Sequence, residues 1–359
     1  MSWHRTIAVC ALAGTWIAGP ASAQLFQQER SVVAFHEARV KARVDDAGAL
    51  RSLTGALIVL AEVTTEPAEY DRAWASLEKA EALEPGNPDT MRVRARLLLS
   101  RHRFPQAFAQ AERGLELLPN DTDMLGMAGD AAFEMGDWTT AEARYNKLHS
   151  ISQQLNSWAR LGQVAEARGN LDEAGSMYEK AMETGLRKGA GTEAIAWCHA
   201  VLGEVHLKKG NPKEARRLYA AGLQKHPDHP LVMEHLAELE KIEGNLEASE
   251  TIYRKLMERF LNPVNQLRLA EVVAARGDKK AAEALRQKTR SHIEKVVAAG
   301  NEGFLRPLAE LEFEAGHFPR AAALASRDVA LRPTVESRAL LAKILAAAAA
   351  AGKPVNSIP

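Results

Sequence analysis

A short pattern recurs along the chain, and it limits the possible folds more than any other feature. A glycine is followed by Asn, Asp or His, then by a small residue, then by an aromatic or apolar residue. The clearest copy is Gly169, Asn170, Ala174 and Tyr178. Because a repeat of this kind buries its apolar face against its neighbours, the chain is predicted to be an array of stacked repeats. The copies begin at Gly136, Gly169, Gly210, Gly244, Gly277 and Gly316.

A second half-pattern precedes the glycine and has helical spacing. A large residue is followed three positions later by Leu and then by a small residue, as in Trp158, Leu161 and Gly162. These residues share one face of a helix. Each repeat is therefore predicted to be two antiparallel helices joined by a turn at the glycine. Further copies are His199, Leu202, Gly203; Met233, Leu236, Ala237; and Leu305, Leu308, Ala309.

These motifs resemble the tetratricopeptide repeat family, whose unit of about 34 residues is a helix-turn-helix. The resemblance implies an all-α, right-handed superhelical solenoid of antiparallel helix hairpins, with about eight repeats. The fifth and eighth repeats depart from the period: residues 183–193 are too long for an ordinary turn between repeats and are expected to be a loop or a frayed helix end, whereas residues 290–301 are expected to extend a second helix. The expected repeat starts are Thr54, Pro88, Thr122, Leu155, Ala196, Pro230, Pro263 and Glu302.

The N-terminal segment has the features of a secretory signal. A charged start is followed by an apolar run from Thr6 to Gly19 and by Ala21-Ser22-Ala23. This order predicts a signal peptide over residues 1–23, cut after Ala23, and hence a periplasmic or secreted protein. An uncleaved anchor is the alternative, but the apolar run is shorter than the roughly 20 residues that span a membrane.

The rest of the chain divides by its pattern. Residues 24–51 are expected to form a capping helix, residues 52–333 the solenoid and residues 334–351 a closing helix. Such caps cover the otherwise exposed faces of terminal repeats. Residues 352–359 are expected to be a disordered tail.

The overall charge favours neither nucleic acid nor an anionic membrane as a partner. The chain has 46 basic and 46 acidic residues, and loss of Arg5 with the signal leaves 45 basic residues. Proteins that bind either kind of partner usually have more basic than acidic residues. We therefore expect no nucleic acid partner and no stable membrane insertion after signal cleavage.

Motifs of known catalytic chemistry are missing from the sequence. It has no phosphate-binding glycine loop, no H-E-x-x-H, no C-x-x-C and no G-x-S-x-G, so we expect no enzyme activity, catalytic residue or cofactor. The neighbours Cys198 and His199 point about 100° apart on a helix. A buried Cys198 in the core is expected, and after signal cleavage it is the chain's sole thiol.

Three histidines offer an alternative. His226, His229 and His235 could form a metal or cofactor site, because imidazole is a zinc ligand. The competing interpretation is a polar turn between repeats, shaped by Pro227 and Pro230. We prefer the turn and expect no metal, but an accessory metal-binding module remains the second candidate function.

The resemblance also implies where a partner binds. In tetratricopeptide proteins the first helix of each hairpin lines a concave groove that holds a peptide or protein segment. Arg92 and Arg96 lie one turn apart, so both could grip one carboxylate. The expected groove residues are Arg92, Arg96, Asp130, Arg160, Gln163, Glu204, Glu234, His235, Glu238, Glu271, Arg306 and Glu310.

The distribution of these groove residues predicts a surface that carries positive charge in one half and negative charge in the other. It is basic toward the N-terminal half and acidic toward the C-terminal half, although solvated helix faces have similar compositions. The predicted function is a non-enzymatic protein-protein interaction scaffold of the cell envelope. By analogy with the family it would assemble envelope machinery, while the sequence does not identify the partner or the pathway.

Overall fold

A computed structural model describes residues 26–258, 260, 262–352 and 355. This part of the chain holds 18 α-helices and no strand, so the predicted all-α array of helix hairpins is confirmed. The proposed signal peptide and most of the proposed tail lie outside the described residues. The helices are α1 Gln27–Ala42, α2 Ala47–Thr64, α3 Pro67–Leu83, α4 Pro88–Ser100, α5 Phe104–Leu117, α6 Thr122–Glu134, α7 Trp138–Ile151, α8 Leu155–Ala167, α9 Leu171–Arg187, α10 Thr192–Lys208, α11 Pro212–Lys225, α12 Pro230–Ile242, α13 Leu246–Met257, α14 Pro263–Ala275, α15 Lys279–Ala298, α16 Leu305–Glu314, α17 Phe318–Leu331 and α18 Val335–Ala350.

Helices α2 to α17 follow the expected order, with even-numbered first helices and odd-numbered second helices. Five expected starts coincide with the first residue of a helix: Pro88, Thr122, Leu155, Pro230 and Pro263.

Two expected starts, Thr54 and Ala196, fall inside α2 and α10. The boundary expected at residue 52 also lies within α2. This helix begins earlier because the Asp46 carboxylate accepts a hydrogen bond from the Ala49 amide at 2.8 Å and so caps its N-terminus.

The glycines of the repeat have two separate structural roles. Gly169 ends α8 with a φ of 83°, a left-handed conformation that glycine adopts without steric cost. Gly162 lets α8 and α9 approach, since a Cβ there would lie 2.7 Å from Cε1 of Tyr178. Tyr178 is fully buried, so its ring occupies the space that a larger residue at position 162 would need.

The described helices form two compact units. One, called unit 1, contains residues 26–137 together with residues from 288 onward; the other, unit 2, contains residues 138–287. Unit 1 is thus built from segments far apart in sequence. Thr65 Oγ1 hydrogen bonds with His292 Nε2 at 2.9 Å, across 227 residues. Arg101 donates to the carbonyl of Ala299 at 2.7 Å, across 198 residues.

Two turns in unit 1 depart from the glycine pattern. Thr65 and His102 occupy the positions where later repeats have glycine, and they adopt left-handed φ angles of 56° and 58°. Both lie where the N-terminal repeats meet the C-terminal segment, because Thr65 bonds to His292 and the His102 ring packs against Gly303. These contacts stabilise backbone conformations that cost about 1 kcal/mol for residues other than glycine.

Helix α2 is long and apolar enough to cross a membrane by length and composition. Much of it is nevertheless buried within unit 1, where Leu57, Ile58 and Ala61 pack into a cluster with Tyr70 and Leu77 of α3. This burial is typical of a core helix in a repeat protein.

Candidate partner-binding surface

The expected groove residues of unit 1 are mostly engaged with other groups of the chain. Arg92 on α4 pairs with Asp89 at 2.5 Å and with Asp121. Asp121 is also the N-cap of α6, where it accepts from the Met124 amide at 2.9 Å. Arg92 therefore links α4 to the start of α6, and these carboxylates raise its pKa above the usual value.

Arg96 faces a different acid. Its charge acts on Glu62 of α2, whose pKa is raised by burial and lowered in part by Arg96 and by a hydrogen bond from Ser100. The shared grip of Arg92 and Arg96 on one ligand carboxylate would need Arg92 to leave Asp89 and Asp121. In the structure Arg92 and Arg96 both interact with acids of the chain itself. Their binding to a partner stays a prediction.

Two other arginines near this face pack against aromatic rings of the chain. The Arg94 guanidinium lies 5.3 Å from the centre of the Trp74 ring, and that of Arg101 lies 5.8 Å from the centre of the Tyr70 ring. Such cation–π contacts add favourable energy beyond charge pairing. The expected basic face is thus largely used for packing.

Asp130 and Arg306 lie in a buried charged cluster that sequence reasoning missed. Asp328 and Arg332 on and after α17 are almost fully buried and hydrogen bond to each other, with 3.0 Å between Arg332 Nε and Asp328 Oδ1. Ser337 donates to Asp328 at 2.7 Å, and Arg306 donates to Ser337 at 2.8 Å. Arg306 therefore connects α16 to α17 and α18.

Glu134 adds an unusual carboxyl to this cluster. Burial raises its pKa to about 7, Arg332 and Arg306 lower it, and Asp130 and Asp328 raise it. Asp130 is buried one helical turn before Glu134 on α6. Nothing in the sequence signalled this cluster, because an Asp and an Arg four residues apart are common on solvated helices.

In unit 2 a polar network runs across the first helices. Lys208 of α10 donates to Glu166 of α8 at 2.7 Å and lies 3.1 Å from Glu204. Glu166 also accepts from the Tyr178 hydroxyl at 2.7 Å. His235 of α12 places Nε2 3.8 Å from Glu204. These side chains bridge successive repeats, and Glu204 and His235 were both expected on the groove face.

The remaining expected groove residues of unit 2 differ in their surroundings. The Arg160 guanidinium lies 5.9 Å from the centre of the Tyr145 ring, and Glu271 pairs with Lys241. Glu234 and Glu238 both act on the Tyr253 hydroxyl, whose pKa is raised first by burial and then by these charges. Glu238 has no ion pair with any residue that the structure describes, which makes it the least neutralised acid of the set.

Gln163 lies on α8, a first helix of unit 2, and is partly buried. Its side-chain Oε1 is buried on α8 without a hydrogen-bond donor. A buried acceptor without a partner costs about 1–3 kcal/mol, so this position favours a donor supplied from outside the chain.

The last of the expected groove residues, Glu310 of unit 1, is partly buried on α16.

The three histidines have separate roles. His229 caps α12 by accepting from the Val232 amide at 3.4 Å, and burial lowers its pKa to about 4. His226 lies 3.3 Å from the Thr192 hydroxyl, and His235 donates to the Ala200 carbonyl at 3.3 Å. Among the described residues no three His, Cys, Asp or Glu side chains are grouped as a metal ion would need.

Cys198 is fully buried, as expected, and burial raises the pKa of its thiol to about 12. The neighbouring His199 has its pKa lowered by burial and by the charges of Arg217 and Lys225. The thiol thus stays protonated in the core. Such a group is not an activated nucleophile.

Comparison with known proteins agrees with this architecture. Residues 153–224 match one tetratricopeptide repeat family model and residues 200–260 match a second. These matches show that residues 153–260 consist of tetratricopeptide repeats, and the helix pairs observed along the other described residues have the same architecture. Repeats of this family are generally non-catalytic, and the chain has the fold of a protein-interaction scaffold. No curated protein sequence matches it significantly.

Three solved structures illustrate the range of similar folds. A chain of the APC/C hetero-tetramer Cut9–Hcn1 has a TM-score of 0.48 and 12% sequence identity. The match covers 90% of the present chain and 60% of the chain from that complex. Pseudomonas aeruginosa pilF has a TM-score of 0.44 and 16% identity over 57% of this chain and 90% of its own. The type IV pilus biogenesis factor PilW has a TM-score of 0.46 and 17% identity over 57% of this chain and 92% of its own.

Proposed function

We propose that this chain is a non-enzymatic scaffold of the cell envelope that binds a peptide or protein segment along the exposed face of its first helices. The observation that carries the proposal is Gln163, whose buried amide oxygen has no donor on the repeat face where partners bind in this family. A backbone N–H of an extended partner segment would satisfy that oxygen.

The charges around this position refine the proposal. Lys208 and Lys241 partly neutralise Glu204 and Glu271. The preference for a basic segment therefore centres on Glu238 and its neighbour on the same face, Glu234. In unit 1, Arg96 is better suited than Arg92 to meet a ligand's carboxylate, because Arg92 is held by two acids.

A site-specific photo-crosslink tests the binding face. A photoreactive residue at position 163, introduced into the protein in its native host, should give one reproducible adduct with a partner in the cell envelope. The same residue at Glu179, exposed on the second helix α9 of unit 2, is the control. The adduct should be lost when Glu238→Lys is added. Equal adducts from positions 163 and 179 would rule out a binding face on the first helices.

The cellular setting is tested separately. We propose that residues 1–23 direct export and are removed after Ala23, so the N-terminus of protein purified from the envelope should be Gln24. Replacing Ala21 and Ala23 with Gln should leave an uncleaved precursor. A purified protein that retains residues 1–23 and stays in the cytoplasm would contradict the envelope setting while leaving the scaffold function open.

A further inference from the structure

A cavity in unit 1 is lined by residues that are not part of the proposed binding face. Its volume is about 780 Å³, within the range of sites that hold small ligands or a few residues of a peptide. It is formed mainly by second helices: the start of α5, the end of α15 and one side of α17. In this family the second helices are not the groove, so the cavity is a separate surface.

The floor of the cavity is aliphatic. Val297 of α15, Leu308 of α16, and Leu324 and Leu331 of α17 line it. Leu331 is partly exposed, whereas Val297, Leu308 and Leu324 are mostly buried. A site with this floor can take an aliphatic side chain of a partner, since burial of apolar surface is favourable.

The rim of the cavity is basic, and one of its arginines is uncompensated. Arg320 pairs with Glu294 at 2.6 Å, and Arg327 pairs with Glu302 at 3.0 Å. Arg103, also in the lining, has no ion pair with any residue that the structure describes, and the pKa of the adjacent Arg101 is lowered first by burial and then by the charge of Arg103. An anionic group bound here would relieve this repulsion between two guanidinium groups.

The Arg103 guanidinium lies beside the turn that ends α15. Gly300 follows α15 with a φ of 85°, and a Cβ on it would lie 2.7 Å from Nη2 of Arg101 and 3.5 Å from Nη2 of Arg103. A side chain at position 300 would therefore displace the Arg101 guanidinium, which donates to the Ala299 carbonyl, and would make an ordinary contact with Arg103.

We propose that this cavity is a second recognition site, which binds a partner segment in which an aliphatic residue is flanked by Asp or Glu. The aliphatic side chain would pack on Leu308 and Leu324, and the flanking carboxylate would pair with Arg103. Gln106 at the start of α5 also lines the cavity and can hydrogen bond to the segment's backbone. The site stands apart from the proposed face on the first helices.

The probe is a fluorescein-labelled peptide, Gly-Glu-Leu-Leu-Glu-Gly, acetylated and amidated so that it has no terminal charge. Its binding to the full chain is measured by fluorescence anisotropy at low and high salt. We expect saturable binding that weakens as salt increases. Arg103→Glu should weaken it at least about tenfold, as expected for loss and reversal of a charge pair.

Matched variants distinguish binding in this cavity from general attraction between the acidic peptide and a basic surface. Arg113→Glu makes the same charge change at an exposed position of α5 and should leave binding unchanged. Leu331→Ala should weaken binding without the salt dependence changing, and circular dichroism checks that each variant is folded. Glu238→Lys on the first-helix face should have no effect, so this test and that of the proposed function fail independently.

Three outcomes would overturn the inference: equal binding by Arg103→Glu and the unaltered protein, equal binding of a peptide with Gln in place of both Glu residues, or no saturable binding.

Discussion

Glu134 is a carboxyl group whose protonation is strongly affected by this fold. Its pKa is raised to about 7 by burial, and the charges facing it are Asp130, Arg306, Asp328 and Arg332. A carboxyl with a raised pKa stabilises the folded state at low pH and loses that contribution as the pH rises through its folded-state pKa. The window here is about pH 4.5 to 7. Nearby His102 has its pKa lowered to about 3 by burial and the charge of Arg332, so it stays neutral across this window.

Glu134→Gln should therefore stabilise the protein at pH 8 and have little effect at pH 5. Gln mimics the protonated carboxyl, so the gain at pH 8 should be on the order of 2 kcal/mol. Urea unfolding at the two pH values measures it. Glu116→Gln, an exposed carboxyl on α5, is the control and should show no such pH-dependent difference. Destabilisation of equal size at both pH values would show that Glu134 is required in its charged form.

Two helix hairpins of unit 2 pack a glycine against a tyrosine. In α8 and α9 the close approach depends on Gly162 beneath the Tyr178 ring, and Gly203 with Tyr219 repeats the arrangement in α10 and α11. Both tyrosines are fully buried. Because the ring cannot move into solvent, a methyl group at the glycine must separate the two helices.

Gly162→Ala should destabilise the protein by about 1–3 kcal/mol through overpacking, despite the better helix propensity of alanine. Gly175→Ala in α9 is the matched control. A Cβ there would lie 3.6 Å from Val205, an ordinary contact, so this change should stabilise by about 0.5–1 kcal/mol. Chemical denaturation of both variants measures the difference. Equal stabilisation by the two changes would mean that the Tyr178 ring adjusts freely.

Unit 1 does not follow the simple behaviour of a linear array, in which each repeat contacts only its sequence neighbours. Its N-terminal repeats contact the segment beyond residue 288 through Thr65, Arg101 and His102. The cluster around Arg332 adds electrostatic coupling to Glu134 on α6. A substitution in the C-terminal segment of unit 1 should therefore also destabilise the N-terminal helices of that unit.

Arg332→Met should speed hydrogen exchange in α6 as well as in α16 to α18. Removing one partner of a buried ion pair costs about 3–5 kcal/mol, because Asp328 is left with less compensation. Hydrogen-exchange mass spectrometry resolves these helices, and α10 and α11 of unit 2 should keep their protection. The exposed Arg338→Met on α18 is the control. Faster exchange confined to α16 to α18 would show that α6 is stable without them.

By itself the sequence determined the helix-turn-helix repeat and most of its boundaries. Glycine in a left-handed turn, proline or Asn at a helix start, and small residues opposite aromatic ones are local requirements, so they appear as a period in the chain. Gly169, Pro230 and Tyr178 therefore have the places that the period assigns to them. The start of α2 was missed because its capping residue, Asp46, lies before the first apolar residues of that helix.

Which polar residues remain available to a partner depends on contacts between helices that are distant in sequence. Arg92 and Arg306 fit a binding face by register, yet Asp121 and the Asp328–Ser337 pair engage them. Arg103 was not selected by register, yet it lines a cavity and lacks an ion pair among the described residues. The physical reason is that register fixes the face of a helix on which a side chain lies, whereas charge pairing depends on acids brought from other helices. Polar contacts in unit 1 also join residues about 200 positions apart, as between Arg101 and the Ala299 carbonyl, and no local pattern records them.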